Sequence, residues 1–228
     1  MRVAVIIPAA GRGRRIKSNI KKPYIKINGR SILTHTLKRF LYNKDITEIV
    51  IAVDKDDVFR VRRDIKKDLA RKGVKIVAGG RERKDSVCNA LRHISEEIDY
   101  VLIHDSVRPF ITDRLIKDCL DAARRFKACI TAVPVKPTLK CIGRDRKVKY
   151  TVDRKDVWEV QTPQAFKRDL IEKAYKKKVP ASVNITDDSM LVELMGVRPR
   201  VVLGSYDNIK ITTQEDLALS KLLIKKYK

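Results

Sequence analysis

An apolar run, Val3–Pro8, passes without a polar break into Ala9-Ala10-Gly11-Arg12-Gly13-Arg14-Arg15, and Lys21-Lys22-Pro23-Tyr24 follows. Such a run without alternation suits a strand covered on both faces, and strands of that kind belong to the parallel sheets of α/β domains. The small-residue turn at its end joins main-chain N–H groups to several fixed positive charges. That combination suits a polyphosphate. Gly11 and Gly13 are expected to take positive φ, turning backbone N–H groups toward phosphate oxygens.

The pattern repeats along the chain. Further strands are predicted at Glu48–Val53, Lys75–Val77, Tyr100–His104, Ile130–Pro134 and Arg200–Leu203. Helices are predicted over Ile32–Tyr42, Asp57–Lys72, Asp85–Ile94, Asp113–Phe126, Lys167–Lys176 and Asp187–Met195. Thr212-Thr213-Gln214-Glu215 has capping-box character and opens a last helix to about Tyr227. The fold class is therefore α/β: a Rossmann-like, mostly parallel sheet with helices on both faces. At 228 residues it reads as a single domain, 1–228. Pro137–Val152 interrupts the alternation, with Gly143-Arg144-Asp145 as a turn, and reads as a projecting β-arm at about 137–152. A dimerisation arm and a plain surface loop are both open readings.

Lysine and arginine number 52 against 28 acidic residues, a net charge of +24. The positive residues are spread over nearly every segment, which argues for solvated faces or high-temperature adaptation over a nucleic-acid interface. The hydrophobic fraction of 43% is ample for a core. No apolar run reaches the roughly 18–20 residues of a membrane span, and Val3–Ile7 is too short for the apolar region of a signal peptide. The expectation is a cytoplasmic protein without a membrane partner. Cys88, Cys119, Cys129 and Cys141 contain no C-x-x-C pair, and His35, His93 and His104 are equally scattered. Buried free thiols are expected, not a structural zinc site.

Two familiar glycine motifs nearly fit the opening turn, the dinucleotide fingerprint and the P-loop. Both require glycine where Ile16 stands. The stretch instead matches A-A-G-x-G-x-R followed by a lysine, the nucleotidyltransferase signature. In order behind it come Gly79-Gly80-Arg81-Glu82-Arg83-Lys84-Asp85-Ser86-Val87, His104-Asp105-Ser106-Val107-Arg108-Pro109, Thr151-Val152-Asp153-Arg154, Thr162-Pro163-Gln164, Thr186-Asp187-Asp188 and Asp207-Asn208-Ile209-Lys210. From Val3 to about Leu217 the chain resembles the 2-C-methyl-D-erythritol 4-phosphate cytidylyltransferases, CTP-using members of the sugar-phosphate nucleotidyltransferase family.

The resemblance implies roles for particular residues. Arg15, Lys22 and Lys210 would be catalytic, balancing charge on the α-phosphorus and the departing pyrophosphate. Ala9, Ala10, Gly11, Gly13, Gly80, Ser86 and Asp105 would hold CTP. Arg108, Arg154 and Thr186 would hold the sugar phosphate, Arg154 reaching in from a partner subunit on the β-arm of a homodimer. Asp105 and Asp207 would bind Mg²⁺, the implied cofactor. Competing readings stay open: a helix cap or an ion pair with Arg108 for Asp105, a helix N-cap for Thr186, a first-turn serine for Ser86, and a structural role for His104. Arg12, Arg14, Lys17 and Lys21 read as solvated charge.

Two departures from the family pattern stand out. Lys22 precedes Pro23, which restricts its backbone and leaves Lys21 as the alternative. Arg81 stands where an acidic residue is usual. The expected reaction is attack by a phosphate-monoester oxygen on the α-phosphorus of CTP, for which no general base is needed. A ribitol-5-phosphate cytidylyltransferase is the nearest alternative enzyme. A basic nucleic-acid-binding protein on this scaffold is the alternative of another class.

Overall fold

A computed structural model of the protein describes residues 1–11, 20–69, 72–180 and 182–227. Strand β1 (Val3–Pro8) is followed by the two-residue strands β2 (Lys26–Ile27) and β3 (Arg30–Ser31) and by helix α1 (Ile32–Leu41). Between β2 and β3 the chain turns on Asn28 and Gly29, both at positive φ, 48° and 79°. Next come β4 (Glu48–Val53), α2 (Val58–Asp64), α3 (Lys66–Leu69), β5 (Val74–Ala78), α4 (Arg83–Leu91), β6 (Tyr100–Ile103) and α5 (Asp113–Phe126). The single helix predicted over Asp57–Lys72 is broken at Ile65, whose backbone leaves the helical region (φ −112°, ψ 18°).

After β7 (Ala128–Pro134), strands β8 (Leu139–Ile142) and β9 (Val148–Val152) pair antiparallel as the projecting arm. The chain then forms β10 (Trp158–Lys167), α6 (Arg168–Lys176), α7 (Asp188–Glu193), β11 (Arg200–Leu203) and α8 (Gln214–Lys226). Thr213 caps α8, but Asp216 and not Glu215 completes its capping box.

Seven strands form one sheet in the order β11-β7-β10-β6-β1-β4-β5. All pairings are parallel except those of β10, which runs antiparallel between β6 and β7. β10 has no counterpart in the sequence reading, because a proline in mid-run argues against a central strand. The chain accommodates Pro163 with a register shift between Gln161 and Gln164.

Alternation along β1 sends Val3, Val5 and Ile7 to a core shared with α1 and α5, and Ala4 and Ile6 to one shared with α4 and α6. Both faces are covered, as the unbroken apolar run requires. Among the described residues no helix is long and apolar enough to cross a membrane. Cys119 and Cys129 are buried, whereas Cys88 and Cys141 are only partly so.

Candidate active site

The strand order reverses beside β1. The chain leaves β1 toward β4 and β5, then returns to lay β6 on its other edge. At such a reversal the connections at the carboxyl ends diverge and leave a crevice, the usual ligand site of open α/β sheets. Residues Ala9–Gly11 follow β1 there, and His104–Ser106 follow β6. A cavity of about 180 Å³ opens between them, with Lys22, Gly80, Arg83, Ser86, Asp105 and Lys210 in its walls.

Close packing shapes the wall between β5 and α4. A Cβ on Gly79 would lie 2.5 Å from Ala10 Cβ and 2.9 Å from Ser86 Oγ, and one on Gly80 would collide with Asp85. Only glycine lets this turn close onto the turn after β1. Ser86, buried in α4, accepts a hydrogen bond from Gly80 N (3.0 Å) and donates to Glu82 O (3.1 Å). Ala9 N donates to Ala52 O (2.7 Å). The Ala9 and Gly80 amides are thus already engaged within the fold. Gly11 corrects an expectation. Its φ is not positive, and a Cβ there would meet open space, so its contribution is room at the cleft.

Asp105 is the electrostatic centre. It is 6% exposed, and its backbone N donates to Thr162 Oγ1 (3.0 Å), which the β10 irregularity carries. Arg83 Nε lies 3.2 Å from Oδ1, while Lys210 Nζ and Arg108 Nε lie 2.9 and 3.4 Å from Oδ2. Burial by itself would raise the carboxyl pKa. Arg83, Lys210 and Arg108 outweigh that effect and hold it well below the usual carboxylate range. Arg108 also donates from Nη1 to Asn208 O (2.7 Å), and Asn208 Nδ2 donates to Thr162 O (2.8 Å). The motifs at 105–108, 162–164 and 207–210 are therefore bonded into one unit.

Arg83 was quoted within a motif but given no role by the sequence. It is the first residue of α4, which starts two residues earlier than predicted. Its guanidinium spans two carboxylates, reaching Asp188 Oδ2 at 2.7 Å as well as Asp105. Asp188 is fully buried and accepts a hydrogen bond from Tyr175 Oη (2.6 Å). Desolvation opposes the charge on Arg83, but Asp188 and Asp105 prevail and raise its pKa above the ordinary arginine value. The only sequence signal for this bridge was an arginine in one motif followed by two acidic motifs further along the chain.

The two neighbouring lysines part company. Lys21 Nζ lies 3.0 Å from Asp54 Oδ2 and 2.6 Å from Asp57 Oδ2, whereas Lys22 is buried in the cleft wall. Lys22 opens a short 3₁₀ turn over Lys22–Tyr24, with Pro23 inside it, and Lys21 stands just before that turn. His104 bonds Arg108 O (2.9 Å) and Thr162 Oγ1 (3.1 Å) through its two ring nitrogens. Burial pushes its pKa down to about 4, so it is a neutral structural imidazole at pH 7.

Other expected site residues lie elsewhere. Asp207 accepts Lys226 Nζ (2.6 Å) and Tyr227 Oη (2.9 Å), so the C-terminal segment takes up its carboxylate, and it does not line the cleft. Among the described residues, no three or more His, Cys, Asp or Glu side chains gather as a metal site. Thr186 is exposed two residues before α7, and the N-cap is Asp187, accepting from Met190 N (3.1 Å). Arg154, just past the arm, is exposed and does not line the cleft of its own chain. Arg15 and Gly13, with Arg12, Arg14 and Lys17, lie outside the described residues.

Comparison with known proteins agrees over the chain's whole length. The family model for 2-C-methyl-D-erythritol 4-phosphate cytidylyltransferase matches residues 3–226. A protein of that name from Syntrophus aciditrophicus is 46% identical over 226 residues, 99% of this chain and 97% of the relative. One from Clostridioides difficile is 41% identical, covering 97% of this chain and 93% of its own. The crystal structure of 4-diphosphocytidyl-2C-methyl-D-erythritol synthase from Anaerococcus prevotii superposes with a TM-score of 0.85 at 36% identity, covering 98% of this chain and 96% of that one. By this full-length match, the chain belongs to the 2-C-methyl-D-erythritol 4-phosphate cytidylyltransferase family.

Proposed function

We infer that the protein transfers a cytidylyl group from CTP to 2-C-methyl-D-erythritol 4-phosphate, yielding 4-diphosphocytidyl-2-C-methyl-D-erythritol and pyrophosphate, a step of isoprenoid precursor biosynthesis. The observation that carries this reading is the convergence of Lys22, Arg83 and Lys210 on the cleft around Asp105, whose carboxylate Arg108 also meets from outside the cleft lining. A phosphate-monoester oxygen of the sugar attacks the α-phosphorus, and the bond from that phosphorus to the β-phosphate bridge breaks. The nucleophile has a second pKa of about 6 and is already anionic at neutral pH. Catalysis is then alignment and charge neutralisation, the work of Lys22 and Lys210, and Arg15 is assigned to the same task by its position in the family motif. Arg108 and Thr186 are assigned to the sugar phosphate.

Mg²⁺ fits the donor set in a limited way. One ionised carboxylate beside a phosphate cleft suits an ion held chiefly by substrate oxygens, and Asp105 would hold it. When bound, the ion neutralises phosphate charge. Asp207, which does not line the cleft, is less suited to join it.

A homodimer is supported by exposed apolar side chains at one end of the sheet: Ile142, Val148 and Tyr150 on the arm, Trp158 on β10, and Leu203 on the edge strand β11. Exposed Arg154 beside the arm is then free of its own cleft and available to a partner's. A cytoplasmic location accords with these soluble substrates. Pyrophosphate release assayed with Mg²⁺ against several nucleoside triphosphates and sugar phosphates tests the assignment. Turnover is expected with CTP and methylerythritol phosphate. Faster turnover with ribitol 5-phosphate would replace the acceptor, and none with CTP would refute the reading.

A further inference from the structure

A second cavity, of about 550 Å³, lies between α1, the β2–β3 turn and the end of α8, and it shares no lining residue with the nucleotide cleft. That volume is ample for a small organic ligand. Arg30, His35, Lys38 and Arg39 form its polar wall, and Ile224 and Tyr227 its apolar one. The cations here differ from those spread over the rest of the surface. Three of them converge on one concavity that is separate from the nucleotide cleft. Among the described residues no carboxylate forms an ion pair with Arg30, Lys38 or Arg39.

Arg39 is held in place without being neutralised. Its Nε and Nη2 donate to the carbonyls of Pro109 (3.3 Å) and Tyr227 (2.9 Å), and its guanidinium lies 5.7 Å from the Tyr227 ring centroid. His35 is fixed by a bond to Ile27 O (2.8 Å). Burial, with Arg30, Arg39 and Lys38 adding repulsion, pushes its pKa below the ordinary histidine value. Among the described residues the one acid on the rim, Asp113, accepts a hydrogen bond from Asn43 Nδ2 (2.7 Å).

We propose that this cavity is a second ligand site, for an organic diphosphate whose phosphoryl groups meet Arg30, Lys38 and Arg39 and whose carbon skeleton lies on Ile224 and Tyr227. Two phosphoryl groups supply charge to match three cations, and arginine recognises phosphate oxygens in pairs. A purely inorganic anion leaves the apolar wall unused.

The ring resonances of His35 report occupancy directly, since the chain has only three histidines. Titration of the full-length protein with hexyl diphosphate should shift them saturably. Pyrophosphate should do so with several-fold weaker affinity, and hexanol not at all. Replacing Arg30→Gln together with Lys38→Gln should raise the hexyl diphosphate dissociation constant at least tenfold with an unchanged melting temperature, and Lys38→Gln alone should raise it several-fold. Removing the same charge from α6, by Lys173→Gln with Lys176→Gln, should leave it unchanged. Lys210→Gln, which perturbs the nucleotide cleft, should leave the His35 response intact. The proposal is overturned if His35 does not respond, if the response survives the Arg30/Lys38 double substitution, or if it is lost in either control variant. Equal affinity for hexyl diphosphate and pyrophosphate overturns the organic assignment.

Discussion

Asp105 and Asp207 sit in two regions that look alike in sequence, each an aspartate close to basic residues, and their surroundings differ sharply. The Asp105 side chain is 9% exposed and meets cations from α4, from the turn after β6 and from the segment before α8. Asp207 is 30% exposed and meets one lysine, itself 64% exposed, on the C-terminal helix. In the cleft, low dielectric and three converging charges fix both the ionisation and the direction of the carboxylate. At the tail, water and salt screen a single pair. A functional charge cluster is therefore marked by burial and by elements distant in sequence converging on it, not by the number of charges nearby.

The sharpest break of this comparison removes one lysine from each region. Lys210→Ala is expected to lower kcat/KM by about 10²–10³, the order seen when a transition-state charge stabiliser is lost. Lys226→Ala should leave steady-state turnover unchanged. Comparable effects from the two would erase the distinction.

A medium effect is expected behind the cleft. Asp188→Asn removes a fully buried carboxylate and leaves Arg83 with Asp105 alone, a loss of about 3 kcal/mol. For a chain of this size that lowers the melting temperature by roughly 6–12 °C. A calorimetric shift below about 2 °C would mean the Arg83–Asp188 contact is dispensable.

The smallest effect is pH-dependent. His104 has its pKa lowered to about 4 in the fold, against about 6.5 when unfolded. The unfolded chain therefore binds the proton first. The stability that neutral His104 contributes is present above about pH 6.5 and is lost as pH falls toward about 4, by roughly 3 kcal/mol at most. Urea unfolding of His104→Gln between pH 7 and 5 should show a flatter slope than the unsubstituted protein. An unchanged slope would place the titration on another group.

Much of the fold was legible because its signals are local. β1, β4, β11 and α5 coincide with the predicted strands Val3–Pro8, Glu48–Val53 and Arg200–Leu203 and the predicted helix Asp113–Phe126, since an apolar run or an amphipathic period needs only adjacent residues. β10 was illegible for the opposite reason. Pro163 reads as a strand breaker, and only pairing with β6 on one side and β7 on the other makes the segment a strand. The site followed the same division. Lys210 and Asp105 were nameable from motifs, but the bridging role of Arg83 depends on α4 beginning at that residue and on Asp188 arriving from α7.

By itself the sequence determined the alternation of strands and helices, the covered parallel strands, the arm and the identity of the motifs, because residue type and spacing carry that information. Tertiary structure alone decided which charges act together. Lys21 and Lys22 are adjacent and chemically identical, yet one is neutralised by Asp54 and Asp57 while the other is buried in the cleft wall. Direction, burial and the carboxylates brought in from distant segments make that difference, and none of these is a property of a residue and its neighbours in the chain.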